Sequence, residues 1–180
     1  MSNEMNQQFK QLIIKGKAVV FIDWANVHGW EKSLRQNIDP QKLFSYLIGY
    51  KDVKDIRLYF GTDTHEKSIE FLRTSSKIGY QVVTKPVKYI LAGQIGEQKI
   101  QLRKCDFDME VCIDAHRLLN EGFESFIFFT GDGDYAPLYQ MLMGLRKQVI
   151  VIYTSGHLGR EIWDINKGLF KAQLKNLVDI

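Results

Sequence analysis

"AVVFIDWANVHGW", residues 18–30, decides how the rest of the chain is read. Ala18 to Ile22 is an apolar run of strand length, rich in β-branched and aromatic side chains, as expected of a strand buried on both faces. It runs straight into Asp23 and, one helical turn later, Asn26. In open α/β sheets the ligand crevice lies beyond the carboxyl ends of the strands, so a carboxylate and an amide at that point are candidate site groups.

Working outward, similar apolar runs recur at Ile56–Phe60, Tyr80–Thr84, Ser125–Phe129 and Val149–Tyr153. Between them lie segments with helical periodicity: Asp39–Ile48, His65–Ile78, Asp108–Leu119 and Tyr135–Leu145. Asp39 is placed to cap the first of these, with Pro40 at its first position. Alternation of strand and helix predicts a parallel sheet with right-handed crossovers. The stretch "LAGQIGEQKI", residues 91–100, does not suit a helix and reads as a loop or β-hairpin. The amphipathic tail, Ile162–Ile180, is expected to end as a helix on the sheet, its apolar face of Leu169, Phe170, Leu174 and Leu177 completing the core or, alternatively, meeting a second copy in a homodimer.

With 180 residues, 45% hydrophobic and 25% charged, the chain suits one domain, with a core over about 17–165 and a final helix over about 166–180. Its apolar runs are too short to span a membrane, which takes about 20 residues. The polar start "MSNEMNQQFK" has no signal-peptide core, so a cytoplasmic protein is expected. Cys105 and Cys112 match no zinc or redox spacing and read as core or boundary thiols. Net charge is only +3, but Lys85, Lys88, Lys99, Arg103 and Lys104 against Glu97 put +4 on residues 85–104 and leave −1 elsewhere. That concentration suits phosphate contacts.

The acidic residues point to chemistry. "TGDGDYAP", residues 130–137, follows the fourth strand at the sheet edge where Asp23 follows the first. Carboxylates gathered there repel one another unless a divalent cation lies between them, and oxygen donors suit Mg²⁺ or Mn²⁺. No His or Cys is placed for zinc; His116, on a face with Cys112 and Leu119, reads as a core or boundary histidine. "KCDFDMEVCIDAHRLL", residues 104–119, adds Asp106, Asp108, Glu110 and Asp114. On a helix Asp114 lies about 120° around the axis and ~9 Å along it from Asp108, so the two cannot easily share an ion. Asp108 is the better ligand, Asp114 an outer or electrostatic neighbour, and Glu110 a surface charge. The glycines of "GDGD" allow a tight turn, Asp134 is also a natural helix cap, and Thr130 is placed to bond a carboxylate or an attacking water.

"FIDWANV", "KCDFDMEVCIDA" and "FTGDGDYAPL", in this order, resemble the signature blocks of the NYN domain family, the LabA-like branch of the PIN-like nucleases. The resemblance runs from about Val19 into the tail. It implies a PIN-like three-layer α/β/α sandwich around a mainly parallel five- or six-stranded sheet, and a Mg²⁺- or Mn²⁺-dependent ribonuclease site. Residue by residue it carries over Asp23 and Asn26, Asp108 and Asp114, and Asp132 and Asp134. Trp24, Ala25, Cys105 and Thr130 depart from the usual residues, and no departure removes a carboxylate. Trp24 is expected to pack beneath the sheet edge rather than to stack on a base.

The expected activity is therefore metal-assisted hydrolysis of RNA, single-stranded or structured. Asp23, Asp108 and Asp132 would hold a metal, Asp134 would contact a second ion or a bound water, and Asn26 and Thr130 would complete the site. Lys85, Lys88, Tyr89, Lys99, Arg103 and Lys104 would contact RNA. DNA stays within range, because phosphate contacts do not read the 2′-hydroxyl. The alternative is an NYN-like module that binds RNA or a protein without cutting. "GDGD" also resembles the last acidic motif of haloacid-dehalogenase-like phosphatases, but those need Asp-x-Asp after the first strand, and here Ala25 stands at the second position. No Gly-x-Gly-x-x-Gly follows the first strand, which sets a dinucleotide fold aside.

Overall fold

The computed structural model describes residues 11–95 and 98–177, with the side chains of residues 94, 95, 98, 99, 101 and 103 outside that description. In chain order the elements are β1 (Ala18–Asp23), α1 (Trp24–Gly29), α2 (Glu31–Leu34), α3 (Pro40–Ile48), β2 (Val53–Thr62), α4 (Glu66–Ile78), β3 (Gln81–Pro86), β4 (Lys88–Ile95) and β5 (Gln98–Lys104). There follow α5 (Asp108–Asn120), β6 (Ser125–Phe129), a 3₁₀ turn (Gly133–Tyr135), α6 (Ala136–Gly144), β7 (Gln148–Tyr153), α7 (Arg160–Trp163), β8 (Leu169–Gln173) and a second 3₁₀ turn (Leu174–Asn176).

The central sheet has the order β3-β2-β1-β6-β7-β8, and every neighbouring pair is parallel. The chain builds outward from β1 to β3, returns to β6 on the other side of β1, and builds outward again. The order therefore reverses between β1 and β6, the place where the crevice of such sheets opens. Their register pairs Ile22 with Phe129, which aligns Asp23 with the segment that begins at Thr130.

Alternation along the strands divides the core between the two faces. Ala18, Val20 and Ile22 pack with Trp24, Val27, Trp30, Leu43 and Leu47 on one side; Val19, Phe21, Phe126 and Phe128 pack with α5 and α6 on the other. The Phe21, Phe126 and Phe128 rings stack within 4.8 to 6.4 Å. Asp39 caps α3 by accepting from the Gln41 and Lys42 amides, with Pro40 at the first position. Among the described residues no helix is long and apolar enough to cross a membrane.

The expected three-layer α/β sandwich is present, with six parallel strands. Residues 91–95 and 98–100 belong to two antiparallel strands, β4 and β5, paired apart from the sheet from Lys88–Lys104 outward, while residues 96 and 97 of that stretch lie outside the described residues. The tail corrects the sequence reading, because Leu169–Gln173 is a sixth strand rather than a helix. Adjacent Leu169 and Phe170 suit a strand as well as a helix, and Gly168, at φ +84°, turns the chain into an extended path. Pairing with β7 supplies partners for the outer backbone edge of a strand that is otherwise buried. Leu174 and Leu177 still reach the core, while Phe170 is half exposed. Residues 178–180, part of the expected helix, lie outside the described residues. His116 is a second correction: it is exposed on α5 rather than at the core.

Candidate active site

The site forms where β1 and β6 end. β1 delivers Asp23, whose carboxylate caps α1 by accepting from the Ala25 N–H at 3.1 Å and the Asn26 N–H at 3.3 Å. Asn26 adds a third bond, Nδ2 to Asp23 Oδ2 at 2.9 Å. The amide therefore orients the carboxylate directly. Burial raises the Asp23 pKa and the neighbouring Asp132 charge raises it further, against the lowering effect of the Asn26 and Ala25 bonds.

After β6, Thr130 is buried and its Oγ1 accepts from the Asp132 N–H at 3.2 Å, so the hydroxyl positions the loop backbone rather than a carboxylate. Asp132, not Asp134, is the cap: its Oδ1 accepts from the Asp134 N–H at 3.0 Å and starts the 3₁₀ turn. The glycines serve a different purpose from the one expected. Neither Gly131 nor Gly133 has a positive φ; they are needed for close approach. A Cβ at 131 would collide with the His157 carbonyl, and one at 133 with the Glu161 carboxylate. The loop after β7 is thereby packed onto this one, with Gly159 N–H donating to the Gly131 carbonyl at 2.7 Å. Glu161 is an acidic neighbour that the sequence did not single out, since its proximity depends on this loop contact.

Asp108 opens α5. Burial raises its pKa first, and the charges of Asp132, Asp106 and Asp134 add to that. Tyr135 was also missed. It is buried, its pKa is pushed far up by burial and by the charges of Asp23 and Asp108, and its hydroxyl favours ionised Asp108 without completing a hydrogen bond of good geometry. Only membership of the loop motif could have pointed to it. Among the described residues no Lys or Arg pairs with Asp23, Asp108 or Asp132. Lys104, which feels the Asp108 and Asp134 charges, is paired at 3.0 Å with Asp106.

Asp114 belongs to a different arrangement. It receives Arg57 at 2.9 Å, the Tyr59 hydroxyl at 2.8 Å and Arg117 at 3.2 Å. Glu110, read as a surface charge, instead holds Lys85 at 2.7 Å, with that ammonium 4.9 Å from the centre of the Phe107 ring. Lys88 and Tyr89 are exposed on the hairpin, alongside exposed Ile90, Leu91 and Leu102, so the arm is apolar as well as basic. The side chains of Lys99 and Arg103 fall outside the described residues. Trp24 is buried, 4.9 Å from Phe71. Cys105 and Cys112 are half-buried thiols outside any disulfide; Cys105 precedes α5 and Cys112 lies on it.

The donor set is therefore carboxylate oxygen, partly desolvated and without a cationic partner. That chemistry fits Mg²⁺ or Mn²⁺ better than zinc. As the side chains stand, no group of three or more His, Cys, Asp and Glu residues among those described is gathered closely enough to hold an ion.

Comparison with known proteins bears on the fold and the family of the chain. A crystal structure of a Vibrio parahaemolyticus protein of unknown function, VPA0982, superposes with a TM-score of 0.67 over 94% of this chain and 100% of that one, at 20% identity, which establishes the shared fold. The low amplitude and bright protein LabA of Synechococcus elongatus is 23% identical over 148 residues, 81% of this chain and 78% of that protein. The NYN domain profile matches residues 17–164, from the start of β1 to the end of α7, and on that match the chain belongs to the NYN domain family.

Proposed function

We propose that this chain is a divalent-metal-dependent ribonuclease. NYN domains are typically nucleases. The observation that carries the reading to this chain is the position of Asp23 and Asp132 at the strand-order switch point, with Asp108 near enough for the Asp132 charge to act on it, and with no Lys or Arg paired with any of the three among the described residues.

Asp23, Asp108 and Asp132 would hold Mg²⁺ or Mn²⁺, with Asp134 at their side. When bound, the ion supplies Lewis acidity and a water that is acidic near neutral pH. Asn26 fixes the Asp23 carboxylate, leaving it one orientation rather than several. Thr130 fixes the backbone that carries Asp132. Lys88 and Lys104 lie on the strands of the hairpin beside this edge and would meet RNA phosphates, as would Lys85 on exchange of its Glu110 partner.

A second reading is favoured by one observation: the acidic side chains do not already close around one point. On that reading the chain binds RNA without cutting it. Both are tested by incubating end-labelled RNA and single-stranded DNA with wild type or Asp132→Asn, in Mn²⁺, Mg²⁺ or EDTA. Loss of RNA with wild type in metal alone is the expected result, and fragment lengths separate internal from terminal cleavage. Intact RNA under every condition, from protein that is folded and binds it, would replace the nuclease reading with the binding one.

A further inference from the structure

A cleft of about 500 Å³ opens beside the acidic edge, between α1, α4 and the base of the hairpin. Its floor is aromatic. Trp24 lies 4.9 Å from Phe71, and Phe60 lies 4.8 Å from the same ring. In its wall is Ser68, only 8% exposed, whose hydroxyl is buried without a hydrogen-bond partner. A buried hydroxyl left unpaired costs stability unless something arrives to pair it. At the rim are exposed His65 and Lys67, and Tyr89, whose hydroxyl is held by Asp63.

This cleft shares Trp24 and Phe60 with a smaller one of about 200 Å³ that also reaches Ala25 and Phe107. Those two residues adjoin the acidic site: the Ala25 N–H bonds Asp23, and Phe107 precedes Asp108. The apolar floor is thus continuous with the proposed reaction centre. Its volume falls within the range of small-ligand pockets, roughly 300–1,000 Å³.

We infer that the cleft takes an unstacked nucleobase of single-stranded RNA, next to the nucleotide whose phosphate lies at the carboxylates. The inference rests on the ribonuclease reading for its orientation. A base offers a flat π-face to the aromatic floor and donors and acceptors along its edge to the Ser68 hydroxyl. The strand it belongs to carries phosphate past Lys67 and His65 at the rim. A base inside a duplex cannot enter without being flipped out of its stack. The cleft therefore makes the protein selective for single strands, and Ser68 gives it a preference among bases.

The test is binding of fluorescein-labelled homopolymeric oligoribonucleotides in EDTA, where no cleavage intervenes, followed by anisotropy. Tryptophan emission is followed in a Trp163→Phe background, where Trp24 at the cleft and fully buried Trp30 remain, so that quenching on contact with a base reports Trp24. Wild type is expected to bind single strands with Trp24 quenching and to show no quenching with a duplex. Ser68→Leu, which fills the cleft, is expected to weaken single-strand binding roughly tenfold. Ser68→Ala, the milder variant, is expected to fold normally and change the ranking of the homopolymers. Unchanged ranking with Ser68→Ala, or no Trp24 quenching by any single strand, would overturn the inference. So would binding of free nucleoside monophosphates as tightly as the oligomers. RNA that quenches Trp24 but is never cut in metal would leave the cleft standing and remove the nuclease reading. Metal-dependent cutting without quenching would do the opposite.

Discussion

Asp108 and Asp114 stand six positions apart on α5, and both belong to the middle signature block, yet their surroundings are opposite. Asp114 is enclosed by Arg57, Tyr59 and Arg117, and Arg57 is shared with Asp55 through bonds of 2.8 and 2.9 Å. Burial of Arg57 works against its charge, but the bonds and charges of Asp55 and Asp114 outweigh it and hold the guanidinium ionised. Asp108 has carboxylates and a buried tyrosine around it, and the one lysine that feels its charge, Lys104, is paired with Asp106 instead. The difference separates a carboxylate neutralised by the protein's own cations from one that is not, as the proposed metal role of Asp108 requires. A motif containing both cannot be read as a set of equal ligands.

The strongest way to break that comparison is to remove the shared cation. Arg57→Leu leaves Asp55 and Asp114 facing each other across a nearly buried position, and is expected to cost about 3 kcal/mol of folding stability. Asp108→Asn removes a charge that Asp132, Asp106 and Asp134 repel and that Lys104, already paired with Asp106, offsets from a distance; it is expected to leave stability in EDTA unchanged or slightly higher. Urea unfolding of both variants compares them directly. A large loss with Asp108→Asn would show that its charge has a structural partner after all.

Metal should act on one region alone. Mn²⁺ is expected to raise the melting temperature of wild type, because an ion bound only by the folded state stabilises it by mass action. With Asp132→Asn the rise should be absent or much reduced, since asparagine keeps the cap on the 3₁₀ turn but not the charge. Equal shifts in both proteins would place metal binding elsewhere.

A smaller effect follows from the raised Asp23 pKa. The folded protein holds this proton more tightly than the unfolded chain does, whose value is 3.8. Its contribution to stability is therefore full below about pH 3.8 and is lost as pH rises through the raised folded value. In EDTA, the stability of Asp23→Asn relative to wild type should grow across that interval. A difference that stayed flat with pH would mean that Asp23 ionises as freely when folded as when unfolded.

Much of this was legible beforehand. "AVVFID" read as a buried strand ending in a carboxylate because apolar run and charge are both local, and Asp39-Pro40 announced a helix start for the same reason. The tail was not legible, because Leu169 and Phe170 become a strand through pairing with β7, a distant partner. The same holds within the site. Asp23 and Asn26 are three residues apart, so their bond was implicit in the spacing, whereas the claim of Arg57 on Asp114 and of Glu110 on Lys85 depends on how α5 lies against the sheet. Gly131 needed the loop after β7 to explain it.

Tyr59 lies between the two regions and offers the finest test of their separation. It is paired in register with Asp23 on β1, while its hydroxyl donates to Asp114 at 2.8 Å. Tyr59→Phe keeps the buried ring against Phe21 and Phe107 and deletes only that bond. Asp114 keeps Arg57 and Arg117, so the expected cost is about 1 kcal/mol, the net worth of one hydrogen bond, rather than the cost of an isolated buried charge. If the Asp114 network is structural and the Asp23 edge functional, metal-dependent cleavage by Tyr59→Phe should match wild type at temperatures where both are folded. A fall in kcat without further loss of stability would mean that the hydroxyl transmits the position of Asp114 to the reaction centre. The two carboxylates of the middle block would then act as one unit, despite the cation that separates them.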